Sequence, residues 1–186
     1  MPKISWKSGT MIYPLPAVMV SCGSMDKPNI ITIAWTGILN TNPPMTYISV
    51  RKERYSHGLI SSCGVFAINL VSDKLCRAMD YCGVRSGRDE DKFKILGLHV
   101  EPGGTTGVPT VKESPLNMEC RVREIKELGS HDMFIADIIS INVDESNLDK
   151  KNKLHLDKCN LVSYLHGKYY APGRELGHFG FSVKKQ

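Results

Sequence analysis

The first half of the chain alternates between short apolar, β-prone runs and clusters of turn-forming residues. Period-2 alternation or a continuous apolar run of four to eight residues indicates a strand, and Asp, Asn, Pro and Gly clusters mark the turns between them. Residues 25–29 and 40–44 are such clusters. The pattern predicts strands over residues 17–24, 30–39, 45–51 and 65–71.

Two short helices are predicted between these strands. One begins near Ser56. The other begins after Ser72, a good N-cap, and runs to about Cys82, where Gly83 can end it.

The second half contains the clearest hairpin. Apolar and polar residues alternate over residues 116–123, the phase slips at Glu124 and Ile125, which indicates a bulge, and residues 132–143 form the returning strand. Residues 103–107 are a loop without a dinucleotide fingerprint, and residues 164–180 are interpreted as loop and short turns. Many short strands with few helices predict an antiparallel β-barrel.

Length and composition are typical of one globular domain, residues 1–186, because hydrophobic residues make up 41% and charged residues 23%. The first residues do not resemble a signal peptide and no apolar stretch is long enough to span a bilayer, so we expect a cytoplasmic protein without membrane association. None of the six cysteines forms a C-x-x-C pair, which argues against a zinc or thioredoxin-type site, and no metal ligands are predicted.

The net charge of +5 is unevenly distributed. Residues 1–72 hold six Lys or Arg against two acidic residues. This basic region suits a small anion such as a phosphate, although ordinary surface lysines would give the same count. Without a basic run or interleaved aromatics, nucleic acid is not expected as a partner.

The segment from Ser49 to His57 is the most informative for chemistry. A strand ends in Arg51 and Lys52, and a helix begins near Ser56. A helix start offers free N–H groups and the positive end of the helix dipole, and an arginine can grip phosphate with two parallel hydrogen bonds. Alternatively, Ser56 is only a helix cap and the arginines are solvated.

Further polar residues carry weaker signals. The run from Thr32 to Gly37 could lie along a flat ring, or could be a core strand with a buried Trp35. Asn69, alone in an apolar run, needs a partner from a ligand or from neighbouring backbone. His131 could donate a proton near neutral pH, and Lys92 could reach a phosphate, but each could be a plain surface residue. No serine-hydrolase, zinc-protease or Walker motif is present.

Taken together, these segments resemble the flavin reductase-like family, which includes the flavoredoxins. The likeness rests on motifs in order along nearly the whole chain, each moderately specific. They are Ile31-Thr32-Ile33-Ala34-Trp35, Asn42-Pro43-Pro44, Ile48-Ser49-Val50-Arg51, Tyr55-Ser56, residues 66–71, the loop 86–93 ending in Lys-Phe, and residues 114–120 and 129–135.

The resemblance implies a mainly β, FMN-binding split barrel that forms a homodimer. Arg51, Ser56, Lys52 and Lys92 would hold the phosphate, and His131 matches a histidine close to the flavin ring. The residues implied to line the flavin are Thr32, Ala34, Trp35, Thr36, Ser49 and Asn69.

Three functions remain open at this point. The first is an oxidoreductase that passes electrons from NADH or NADPH through FMN to a flavin, a ferric complex or a protein. The second is a non-enzymatic electron carrier of the flavoredoxin type that meets redox protein partners. The third is a β-barrel module that binds another phosphorylated ligand.

Overall fold

The computed structural model describes residues 1–183, and most of its ordered elements are strands. The strands of this part of the chain are β1 Leu15–Pro16, β2 Val18–Gly23, β3 Pro28–Ile33, β4 Thr36–Asn40, β5 Met45–Arg51, β6 Val65–Leu70, β7 Val100–Pro102, β8 Pro109–Val111, β9 Leu116–Glu127, β10 His131–Val143, β11 Ser163–Leu165 and β12 Lys168–Tyr170. The helices are α1 Tyr55–Cys63, α2 Cys76–Val84 and α3 Lys92–Leu96, with 3-10 turns at Asp73–Leu75, Glu145–Asn147, Leu156–Lys158 and Phe181–Val183.

Seven strands form one antiparallel sheet in the order β3-β2-β6-β9-β10-β5-β4. Its two edge strands, β3 and β4, follow one another in the chain and are joined only by Ala34–Trp35. The sheet therefore curls until its edges approach each other. The prediction of a mainly β, antiparallel split barrel with short helices is confirmed, whereas the single domain over residues 1–186 stays a prediction.

The core lies on both faces of the central strands. Val18, Val20 and Cys22 point into the barrel, where they meet Phe66 and Phe134. The neighbouring residues of β2 face the other way, and a second cluster covers them with side chains of α2 and α3: Met79, Cys82, Phe93 and Leu96. Burial on both faces explains why β2 is a continuous apolar run rather than an alternating one.

Two predicted elements differ from the structure. Residues 30–39 are not one strand, because the chain leaves β3 at Ile33 and joins the opposite sheet edge at Thr36. The second helix begins with a 3-10 turn, Ser72 makes no capping bond, and Gly83 lies inside α2. A Cβ at Gly83 would lie 3.2 Å from the Thr32 Cβ, so this glycine allows close packing of α2 on β3.

The long hairpin is present as predicted, but part of its polar face is covered by a loop. The register shifts beside Val122 and Glu124, which leaves Arg123 as the extra residue next to the predicted bulge. Glu119, one of the alternating polar residues, is fully buried and accepts hydrogen bonds from the Thr106 backbone and hydroxyl, both at 2.7 Å. Its carboxylate anchors the loop at residues 103–107 to the sheet.

The tail at residues 164–180 is more ordered than predicted. Strands β11 and β12 form a hairpin that pairs with β1, so an early and a late segment of the chain share a small three-stranded sheet. Over residues 1–183 no helix has the length and apolarity needed to cross a membrane.

Candidate functional site

A pocket of about 240 Å³ opens at the seam between β3 and β4. We call this pocket the ring pocket. Ala34–Trp35, which connects β3 to β4, is held to β5 because the Ser49 N–H donates to the Trp35 carbonyl at 2.9 Å. The ring pocket is lined by Ile31, Thr32, Ile33, Ala34, Trp35, Ser49, Val50, Arg51, Arg54, His131 and Tyr164.

Trp35 and His131 form the aromatic wall of the ring pocket. Their ring centroids lie 4.4 Å apart with an interplanar angle of 41°. His131 pairs with Arg51 across β10 and β5, and its Nδ1 lies 2.9 Å from the Ser130 hydroxyl. Burial, and then the charge of Arg51, lower the pKa of His131 below its ordinary 6.5, so the imidazole is neutral at pH 7.

A second pocket of about 560 Å³ lies where α1 begins. It is bounded by Glu53, Arg54, Tyr55, Ser56, Arg85, Ser86, Gly87, Arg88, Asp89 and Lys92, together with Ile31. We call it the anion pocket. Ile31 and Arg54 line both pockets, so the two spaces adjoin.

The floor of the anion pocket depends on a close contact between Asn29 and Gly87. The Asn29 amide donates to the Ser56 hydroxyl oxygen at 2.7 Å, and both residues are buried. A Cβ at Gly87 would lie 1.9 Å from the Asn29 Oδ1, so only glycine lets the loop after α2 lie there.

Lys92 is a buried cation in the same pocket, with 4% of its surface exposed. Its ammonium donates to the Cys82 carbonyl at 3.2 Å and the Arg85 carbonyl at 3.1 Å. Burial lowers the pKa of Lys92. An ammonium has three N–H donors. Two of them hold the C-terminal end of α2, and the third remains for a ligand.

The charges around the anion pocket favour an anion. The lining carries a net charge of +2, because four cationic side chains outnumber two carboxylates. The cations are Arg54, Arg85, Arg88 and Lys92, and the carboxylates are Glu53 and Asp89. The first turn of α1 adds backbone N–H groups that have no carbonyl partner within the helix. A phosphate monoester carries about −1.5 to −2 at pH 7, which matches this charge.

Eight of the predicted site residues come together in these two pockets. Ser56 and Lys92 line the anion pocket. The ring pocket contains Thr32, Ala34, Trp35, Ser49, Arg51 and His131. Arg51, expected to hold phosphate, therefore lies in the ring pocket, where its guanidinium is 3.4 Å from the Glu53 carboxylate. The Thr32 hydroxyl is already engaged, because it donates to the Met79 carbonyl.

Three predicted cofactor contacts, Thr36, Lys52 and Asn69, lie in neither pocket. The Thr36 hydroxyl donates to the Tyr47 carbonyl, and the Lys52 ammonium pairs with Glu127 at 2.6 Å. The Asn69 amide is fully buried and bonded to backbone and neighbouring side chains, so its partner is the protein itself. The two pockets are thus lined without these three residues, whose role in cofactor binding stays a prediction.

The largest group of lining residues without a predicted role lies in the loop that follows α2. Arg54 and Tyr55 lie in the segment from Ser49 to His57, but no role was predicted for them. The Arg88 guanidinium carbon lies 5.8 Å from the Tyr55 ring centre. The available signal was the run Arg85-Ser86-Gly87-Arg88, in which two arginines flank two small residues. Tyr164 reaches the ring pocket from the tail hairpin, which no local pattern reveals.

Cysteine chemistry has no support at this site. All six cysteines are free, and burial raises the pKa of Cys22 and Cys82 to about 11. These thiols stay protonated at neutral pH and are poor nucleophiles. Residues 1–183 contain no group of three or more His, Cys, Asp or Glu side chains that could hold a metal ion.

The donor set fits FMN in two respects. The anion pocket matches a phosphate in charge and offers hydroxyl, N–H and guanidinium donors. The adjoining ring pocket has an aromatic wall and the outer edge of β3, whose backbone groups have no neighbouring strand on that side. A molecule with a phosphate at one end and a polar-edged ring at the other suits both.

Comparison with known proteins supports this interpretation. Residues 10–172 match the profile of the flavin reductase like domain. The flavoredoxin of Desulfovibrio vulgaris (Miyazaki F) superposes with a TM-score of 0.90 at 34% identity, covering 98% of this chain and all of that one. The flavoredoxin of Methanosarcina acetivorans gives a TM-score of 0.91 at 28% identity, covering 99% and 98%.

Among curated sequences, an uncharacterized protein of Archaeoglobus fulgidus is 31% identical over 140 residues, which is 75% of this chain and 78% of that protein. Residues 10–172, which match the family profile, include every residue of the ring pocket and the anion pocket. The chain belongs to the flavin reductase-like family.

Proposed function

We propose that this protein binds FMN and passes electrons from NADH or NADPH through it to an acceptor. The observation that carries the proposal is the continuity of a pocket of net charge +2 with an aromatic-walled pocket at the barrel seam. A flavin needs both, because its phosphate and its ring differ in chemistry.

The phosphate end would be held by residues at the start of α1 and in the loop after α2. Ser56 is kept in place by Asn29, and Lys92 has one donor free. Arg54 and Arg88 can each present two parallel N–H groups to phosphate oxygens. These side chains come from separate elements, so binding a phosphate would also tie the elements together.

The ring end would lie against Trp35 and the backbone of residues 32–35. Thr32, Ala34 and Ser49 are small, so the backbone can come close to a planar ligand. Arg51 would place a positive charge beside the ring. His131, whose lowered pKa leaves it neutral at pH 7, would donate a hydrogen bond to the ring or accept a proton. When bound, FMN supplies the redox chemistry by accepting and releasing electrons, while the protein supplies position and electrostatics.

A non-enzymatic carrier role is the second candidate function. It is favoured by one observation, that two solved structures covering nearly this whole chain are called flavoredoxins. In that case FMN would stay bound and a redox protein would be the partner. The barrel, both pockets and every residue assigned above would be the same.

Spectroscopy on purified protein separates these functions. FMN titration followed by absorbance and fluorescence tests binding, and NADH or NADPH is then added without oxygen. Bleaching of the flavin band by a nicotinamide supports the oxidoreductase, and bleaching only by a reduced protein partner supports the carrier. If the protein did not bind FMN but bound another phosphorylated compound, both the oxidoreductase and the carrier function would be contradicted.

We extend the proposal to assembly and location. The family resemblance implies a homodimer, and exposed apolar residues on the N-terminal segment, such as Ile4 and Trp6, are consistent with a protein contact. A cytoplasmic location is proposed from the sequence pattern. Sedimentation velocity with and without FMN tests the dimer.

A further inference from the structure

A third pocket lies on the far side of Trp35. It has a volume of about 410 Å³ and is lined by Gly9, Thr10, Met11, Ile12, Leu15, Trp35 and Tyr47. We call it the arm pocket, because residues 9–12 belong to the extended segment that precedes β1. The assignments made above use only Trp35 from this set.

The arm pocket differs in chemistry from the ring and anion pockets. Its lining contains no Asp, Glu, Lys, Arg or His, and the two hydroxyls of Thr10 and Tyr47 are its only side-chain hydrogen-bonding groups apart from the Trp35 indole. A charged ligand would lose water there without gaining an ionic partner. The lining therefore selects an uncharged, largely apolar molecule.

Two residues of the arm pocket, Trp35 and Tyr47, belong to the barrel and the other five to the N-terminal segment and β1. Tyr47 faces Gly37 across the β4–β5 pair, and a Cβ at Gly37 would lie 3.2 Å from the Tyr47 ring. Glycine therefore lets the tyrosine ring lie close to the sheet. Trp35 lines both this pocket and the ring pocket, so one indole separates the two spaces.

We propose that the arm pocket binds a small, uncharged aromatic molecule beside the ring pocket. A volume of 410 Å³ lies within the range of small-molecule sites, and three of the seven lining side chains, Met11, Trp35 and Tyr47, favour contact with a flat ring. Its role as the site of an electron acceptor rests on the proposed function, whereas the binding itself does not.

Calorimetric titration with two probes of the same ring system tests the binding. The full-length protein should bind 2-naphthol, which is neutral, at least tenfold more tightly than naphthalene-2-sulfonate, which is an anion. Met11→Asp should weaken 2-naphthol binding at least tenfold, because it places a carboxylate in an apolar lining. Met25→Asp is the matched control, because Met25 is an exposed methionine outside the pocket, and this variant should bind 2-naphthol as the wild-type protein does.

Repeating the titration with saturating FMN places the probe. The affinity for 2-naphthol should be retained and the absorbance of bound FMN should shift. Loss of naphthol binding on adding FMN would locate the probe in the ring pocket and overturn the proposal.

Three other results would also overturn it: no binding to the wild-type protein, equal binding of the sulfonate, or no effect of Met11→Asp. A dimer in sedimentation that binds no naphthol would show instead that a second copy covers the pocket. Failure of FMN to bind, with naphthol binding intact, would refute only the proposed function.

Discussion

The Nε2 of His57 lies 2.8 Å from the Oδ2 of Asp132 and joins the first turn of α1 to the first residues of β10. Each partner is next in sequence to a residue of the candidate site, Ser56 in the anion pocket and His131 in the ring pocket. Lys52 adds a second contact to Asp132 at 3.4 Å. The contact thus links the two ends of the proposed flavin site through side chains that lie in neither pocket.

Asp132→Asn should lower the melting temperature at pH 7. Burial alone would raise the pKa of Asp132, but the hydrogen bond from His57 and the charge of Lys52 outweigh it, so the pKa lies below the ordinary 3.8. A lowered carboxyl pKa stabilises the fold above pH 3.8 and stops doing so as the pH falls through the folded value. Thermal melts should therefore show a difference from wild type at pH 7 that shrinks below pH 3.8. A difference that is independent of pH would contradict the charged contact.

Arg54→Ala should weaken FMN binding by about 1.5–3 kcal/mol, the scale of a hydrogen bond to a charged group, or roughly 10- to 150-fold in Kd. Arg54 lines both pockets, so its loss affects the phosphate and the ring side together. Fluorescence titration of FMN measures the change. Arg77→Ala, on the exposed side of α2 and outside both pockets, is the control and should bind FMN as wild type does.

Gly87→Ala should weaken FMN binding by displacing Asn29 or the loop after α2. The new Cβ would lie 1.9 Å from the Asn29 Oδ1, and overpacking of this kind costs about 1–3 kcal/mol. Gly104→Ala is a matched control, because nothing lies within 4 Å of its Cβ position. Equal FMN affinity in the two variants would show that the Asn29 contact does not shape the anion pocket.

His131→Ala should leave FMN bound but slow turnover with NADH or NADPH by about 10²- to 10⁴-fold, the range for a positioned general acid or base. Because burial and Arg51 lower the pKa of His131, the wild-type rate should change on the acid side at a pH below 6.5. His131→Gln should lose that inflection. Steady-state rates from pH 5 to 8 test both statements. If His131→Gln kept the wild-type pH profile, His131 would have no role in proton transfer.

Much of the fold could be predicted because its strands are short and differ clearly from the turns between them. β5 shows why: it has one buried face, so its alternation marks its bounds. The break at Ala34–Trp35 could not be found this way, because residues on both sides are β-prone and the break depends on which sheet edge each strand joins.

The candidate site was only partly predictable for the same reason. Ser56 and Lys92 belong to segments whose local pattern suggests an anion site. Asn69 and Lys52 also had predicted cofactor roles, but the Asn69 amide donates to the Met19 carbonyl and the Lys52 ammonium to Glu127. Both partners are far away in the sequence, so no local pattern reveals them. A polar residue becomes a binding residue only when the fold leaves its donors free.

The two-residue crossing at Ala34–Trp35 also has a consequence for unfolding. A barrel open along one line lacks a row of contacts there, and a ligand in that gap would touch β3, β5 and the start of α1 at once. Binding of the ligand would then stabilise the whole fold. A free ligand concentration of a hundred times Kd adds about 2.7 kcal/mol to the free energy of unfolding. The FMN complex that we propose should therefore melt at a higher temperature than the flavin-free protein.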